Sequence, residues 1–116
     1  MRLKSYDFYP NGRIKNPQVI GYGKPGMLLA KADWCGHCKR FMPTYEKLTR
    51  KLGNNFPCVY IDESDMTNEL SSALNVRGFP TIMFFDKYGR IIEHYNGGRE
   101  EGQLIQKIDE MYHKYR

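Results

Sequence analysis

The sequence predicts an α/β fold, a central mixed sheet with helices on both faces. Three observations carry that reading. Short apolar or β-branched runs alternate with stretches whose apolar residues recur every three or four positions. The resulting order is strand, helix, strand, helix, hairpin, helix. The hairpin link, Asp86-Lys87-Tyr88-Gly89, is so short that its two strands must be antiparallel. Covering both faces of a mixed sheet is the economical way to bury such elements, and 116 residues at 41% hydrophobic content can form one packed domain.

Residues 1–17 read as a loop-rich N-terminal extension and 18–116 as the folded domain. Pro10-Asn11-Gly12, Asn16-Pro17, Gly21, Gly23 and Pro25-Gly26 interrupt any helical period, leaving loops with short strands, one of them from Gln18 to Tyr22. Met27 to Ala32 is a buried central strand. After Cys35, the spacing of Cys38, Phe41, Met42, Tyr45, Leu48 and Leu52 marks one helix face. Pro43 interrupts that helix's backbone bonding, and Gly53 ends it. Pro57 to Ile61 is β-branched and strand-like. Ser64 or Asp65 caps a brief helix whose inner face is Met66, Leu70 and Leu74. Thr81 to Phe85 and Arg90 to Tyr95 form the hairpin. Gly97-Gly98 precedes a last helix with Leu104, Ile108, Met111, Tyr112 and Tyr115 inward.

The formal net charge is +5, from 18 basic and 13 acidic residues. No dense basic run or nucleic-acid motif accompanies it, so it reads as a solvated surface, the sharper alternative being a mild preference for acidic protein substrates. No apolar run reaches the ~18 residues that span a bilayer. The opening Met1-Arg2-Leu3-Lys4 lacks a secretory apolar segment, which points to the cytoplasm; a trimmed secretory form would read the same way. Three cysteines are too few, and odd in number, for a disulfide-stapled scaffold.

The chemistry centres on Trp34-Cys35-Gly36-His37-Cys38-Lys39. A strand before this stretch and a helix after it put the first sulfur at a helix N-terminus, where free N–H groups and the helix dipole favour an anion. A thiol of pKa ~8.5 is about 3% thiolate near pH 7, and lowering it by two units makes it about three-quarters thiolate. Cys35 is therefore the candidate nucleophile. Cys38, one turn further in, is the candidate resolving cysteine, more buried and of higher pKa. His37 either tunes Cys35 or is a solvated helix residue; Gly36 and Lys39 belong to the same tuning set. Lys31 shares a strand face with Leu29, and either reaches toward Cys35 or snorkels to the sheet edge. Trp34 covers the site and meets substrate, or simply packs. Cys58 reads as a small core residue. A zinc set built from Cys35, Cys38, Cys58 and a histidine is disfavoured, since His94 and His113 lack ligand spacing.

From about Gln18 to Tyr112 the chain resembles the thioredoxin superfamily, with its closest likeness to the catalytic domains of protein disulfide isomerases. The residues that carry this are Trp34 to Lys39, Pro43 five residues past Cys38, Val76-Arg77-Gly78-Phe79-Pro80-Thr81, and Tyr95 to Glu100. The resemblance implies a thioredoxin-like three-layer fold and thiol–disulfide exchange on protein cysteines through Cys35 and Cys38, with no metal or bound cofactor. It implies that Pro80 follows a cis bond and faces the sulfurs, and that residues around Phe79, Pro80 and Thr81 hold an extended substrate strand. It further implies a redox partner (a reductase, glutathione or a sulfhydryl oxidase), and for Arg99 a choice between the surface and a swing toward the site. The expected state is a monomer acting without nucleic acid or membrane.

Two features depart from the family pattern. Leu29 stands six residues before the first cysteine, where the family places a buried acid, and its usual lysine partner is missing from Pro57 to Asp62. The family's first helix also has no recognisable counterpart. The rival reading is a redox-inactive module of the same fold that binds a client or partner protein.

Overall fold

Strand β2 (Gly26–Lys31) runs through the middle of the sheet because its residues from Gly26 to Ala30 are all buried. A computed structural model describes the whole chain, Met1–Arg116. The other elements are β1 (Arg2–Leu3), α1 (Pro17–Ile20), α2 (Gly36–Leu52), β3 (Cys58–Asp62), α3 (Asn68–Ala73), β4 (Thr81–Phe85), β5 (Ile91–Tyr95) and α4 (Glu101–Tyr115). The sheet order is β1-β3-β2-β4-β5. β1 and β2 flank β3 in parallel, while β4 pairs antiparallel with both β2 and β5. The mixed sheet with helices on both faces, read from the sequence, is the architecture that forms.

Strand alternation splits the core in two. Leu28 and Ala30 face Val19 of α1 and Leu70 of α3, together with Val59, Ile61, Met83 and Phe85. Met27 and Leu29 face Phe41, Tyr45 and Leu48 of α2, and Leu104, Ile108 and Met111 of α4. The buried Tyr45 hydroxyl ties α2 to the sheet. It donates to the Val59 carbonyl at 2.5 Å and lies 3.1 Å from that of Met27. Tyr45→Phe is expected to cost about 1 kcal/mol, read as a lower urea midpoint at unchanged slope.

Three local expectations are corrected. Gln18 to Tyr22 is not a strand. Asn16 accepts the Gln18 N–H, Pro17 occupies the first helical turn, and the segment forms α1 before turning at Gly21. The brief helix is capped neither by Ser64 nor by Asp65. Thr67 accepts the Leu70 N–H at the start of α3, and the residues before it form a separate 3₁₀ turn, Glu63–Asp65, capped by Asp62. Residues 1–17 are loop-rich, yet they join the domain: β1 pairs with β3, and Leu3, Phe8 and Ile14 are core residues. Arg2 and Lys4 tie this segment to Asp65.

Candidate active site

The site is built where β2 ends and α2 begins. Cys35 is the N-cap of α2: its backbone is extended, and its sulfur accepts the Cys38 N–H at 3.2 Å. That contact satisfies one of the free donors at the helix start and sets the sulfur in the positive end of the helix. The Cys35 sulfur also lies 3.5 Å from the Phe79 carbonyl. Cys35, Cys38 and Cys58 are free cysteines, and all three are buried. Ala32, Cys35 and Cys38 pack together against Phe79, so the ring of a residue 44 positions away closes over the pair.

The two thiols are held in opposite states. Burial opposes ionisation of Cys35, but the Cys38 thiol, the N–H groups of Cys38 and His37, and the positive Arg99 together bring it below an ordinary thiol. Burial and the contact with Cys35 push Cys38 up to about 11. The first sulfur is thus prepared to attack and the second to stay protonated until needed. Cys58 is remote from this chemistry; it is buried on the α2 face, donates to the Phe56 carbonyl, and is pushed by burial up to about 12.

Around the pair, Trp34 is 69% exposed, with its indole N–H donating to Glu63 at 2.6 Å and its ring edge-on to Phe79 at 5.9 Å. The Phe79–Pro80 bond is cis, and Thr81 donates its hydroxyl to the Gly78 carbonyl, bracing the turn that enters β4. Gly36 opens α2 on its exposed side. The His37 ring is exposed, with Nδ1 2.8 Å from the Arg40 guanidinium; it is the His37 backbone N–H that acts on Cys35. Lys39 and Cys38 line a shared cavity on the other side of the helix start.

Lys31 is not the cation of Cys35. Its ammonium donates to Asp33 at 2.6 Å and lies 3.0 Å from the Asp62 carboxylate, whereas the charge acting on Cys35 is that of Arg99, exposed at the surface. Leu29 is fully buried among apolar neighbours, so the site contains no acid at that place. Sequence reasoning missed Asp62, Glu63 and Arg40. A usable signal existed for the first: Lys31 and Asp62 each end an apolar strand, and parallel pairing sets them side by side. No three His, Cys, Asp or Glu side chains converge as a metal set.

A Cys-x-x-Cys pair capping a helix at the end of a central strand, beside a cis Phe-Pro turn, defines a dithiol redox domain on a thioredoxin-like fold. The chain belongs to the thioredoxin family, whose model, described as Thioredoxin, matches residues 18–110. It is similar to protein disulfide isomerase-like 1-1 of Arabidopsis thaliana, 47% identical over 78 residues, covering 64% of this chain and 16% of that protein. Protein disulfide-isomerase erp38 of Neurospora crassa is 39% identical over 95 residues, covering 79% of this chain and 26% of the relative. The chain thus spans only 16% and 26% of the lengths of these two curated relatives. In fold it is similar to Fasciola hepatica thioredoxin, with a TM-score of 0.67 at 21% identity, covering 81% of this chain and 88% of that one.

Proposed function

We propose that the chain is a thiol–disulfide oxidoreductase acting on protein cysteines. The observation that carries this is the opposed condition of two adjacent thiols, Cys35 favoured as thiolate at the helix N-cap and Cys38 held protonated behind it. In the reducing direction, the Cys35 thiolate attacks one sulfur of a substrate disulfide. That S–S bond breaks, one substrate sulfur leaves as thiolate, and a mixed disulfide forms. Cys38 then loses its proton and attacks the Cys35 sulfur. The second substrate thiolate departs, and a Cys35–Cys38 disulfide remains, having given two electrons to the substrate. The reverse sequence oxidises a substrate dithiol. Isomerisation, which the names of the similar proteins suggest, is release of the mixed disulfide by another substrate thiol instead of by Cys38.

Trp34, Phe79, Pro80 and Thr81 form the ledge beside the sulfurs on which an extended client segment lies. The exposed indole gives apolar area there, and Glu63 limits its rotation. Direction is set by the partner that restores the pair, a reductase, glutathione or a sulfhydryl oxidase, and by the redox poise around it. The test is the thiol content of Cys35 and Cys38 after equilibration in glutathione buffers of graded ratio, together with reduction of insulin. A pair that moves between dithiol and disulfide across the series, with insulin reduced, is the expected result. A pair that never changes state, with insulin left intact, overturns the reading in favour of a binding module.

A further inference from the structure

Release of the substrate requires Cys38, the thiol least inclined to ionise at the site, to become a nucleophile. The residues described so far serve Cys35. On the other side of the pair lies a cavity of about 340 Å³, lined by Lys31, Asp33, Cys38, Lys39 and Glu46 among others. Alternation along β2 and β3 sends Lys31 and Asp62 to the sheet face that α2 covers, and parallel register makes them direct partners. Their side chains are 12% and 3% exposed. Lysine and aspartate are rarely so buried unless a pairing holds them there.

The pair is built to keep the ammonium in one place. Asp62 Oδ2 accepts both the N–H and the hydroxyl of Ser64, which locks the carboxylate. Asp62 Oδ1 has no aligned hydrogen-bond donor and faces the Lys31 ammonium at 3.0 Å. Asp33 takes a hydrogen bond from the same ammonium, and the Tyr60 ring lies 5.5 Å from it. Of the charged side chains that line the cavity with Cys38, Asp33, Lys39 and Glu46 are solvent-exposed, whereas the Lys31 side chain is 12% exposed. Lys31 is the buried cation of the group.

We propose that Lys31, held by Asp33 and Asp62 together, is the positioning residue of the release step, its charge stabilising the Cys38 thiolate as that sulfur attacks the mixed disulfide. The Cys38 proton leaves to water through the cavity. Its electron pair forms the bond to the Cys35 sulfur, the Cys35–substrate bond breaks, and the substrate departs as thiolate. Lys31 takes no proton. Although burial disfavours its charge, Asp33 and Asp62 hold it as ammonium, so it acts by field alone. That field opposes the effect of burial on the Cys38 thiol, which persists when Cys35 is bonded to substrate.

The inference rests on the exchange cycle above, and stopped-flow mixing with an aromatic disulfide that releases a coloured thiolate separates the two. The first release reports attack by Cys35, the second closure by Cys38. For Lys31→Met the expected result is an unaltered first phase. The second phase slows about tenfold near pH 7, and its pH profile moves up by about one unit. Lys31→Arg is expected to restore much of that rate. Asp62→Asn, which leaves the cation in place, is expected to close at least as fast as the parent. The neutral pair Lys31→Met with Asp62→Leu is expected to stay slow even though no carboxylate is orphaned. A second phase unaltered in Lys31→Met, or slowed equally in Asp62→Asn, overturns the inference. Absence of any first phase in the parent chain overturns the redox reading instead.

Discussion

Cys35→Ser is expected to bring insulin reduction down to the uncatalysed background, whereas Cys38→Ser should still capture substrate and fail to release it. The asymmetry follows from the geometry. The Cys35 sulfur accepts the helix N–H and is brought below an ordinary thiol, so it is the atom expected to make the first bond. A serine hydroxyl there has no accessible anion near neutral pH. Cys38 is held protonated by burial and by its contact with Cys35, and it becomes effective because closure is intramolecular. With Cys38→Ser the covalent adduct therefore persists. It should be visible as a client-sized mass increase on non-reducing gels and disappear with added thiol. The same contrast predicts that brief iodoacetamide treatment near pH 7 labels Cys35 and spares Cys38 and Cys58, checked by peptide mass. Equal labelling of Cys35 and Cys38 would contradict the assigned roles.

The place of Cys35 at the start of α2, with Cys38 one turn further in, was legible in the sequence because it depends on local features. A Cys-x-x-Cys opening an amphipathic helix after an apolar strand needs no tertiary information to place its first sulfur at a helix N-cap. The period-two and three-four patterns likewise separated sheet from helix from Met27 onward, and the Asp86–Gly89 turn forced the antiparallel pair. Local pattern gave less where two short signals competed. Between Asn16 and Gly21 the residues can make a strand as easily as one helical turn. The turn wins because Asn16 caps it and Pro17 suits its start. At Ser64 and Thr67 two capping residues lie three apart, and burial of Leu70 and Leu74 selects the second.

Cross-chain electrostatics was legible only so far as Lys31 and Asp62 each end an apolar strand. Lys31 has no charged neighbour on its own strand, and its following residues point toward Cys35. Only the register between β2 and β3 shows that Asp62 is beside it. Arg99 is 64 positions from Cys35, and its charge reaches the sulfur because the loop before α4 folds back toward the start of α2. An ion pair formed by strand alignment leaves no periodic trace in one chain, so neither reading of Lys31, as a support for Cys35 or as a lysine snorkelling to the sheet edge, names Asp62, the partner that the sheet decides.

Asp62 therefore carries the second large effect, on stability. Asp62→Asn keeps the shape of the side chain and an acceptor for Ser64, but removes the charge facing Lys31. Breaking a buried ion pair from one side commonly costs about 3–5 kcal/mol; here Asp33 still meets the ammonium, so about 2–3 kcal/mol is expected, lowering Tm by about 10 °C near pH 7. The pH dependence has a definite sign. Burial works against the Asp62 charge, yet Ser64 and Lys31 more than offset it and hold the carboxyl well below its ordinary 3.8. The folded state thus binds a proton less readily than the unfolded one, and the stabilisation is complete above pH ~5 and lost as pH falls from about 4 toward the folded value. Lys31 is raised above its ordinary 10.5, so its share is complete below that value and lost as pH climbs through the folded one. The gap in unfolding free energy between the parent and Asp62→Asn should accordingly be flat between about pH 5 and 10 and shrink at both ends. Urea titrations at a series of pH values measure it. A gap that is constant down to about pH 2 would show that Asp62 stabilises through shape and not through charge, and would contradict the ion pair assigned to Asp62 and Lys31.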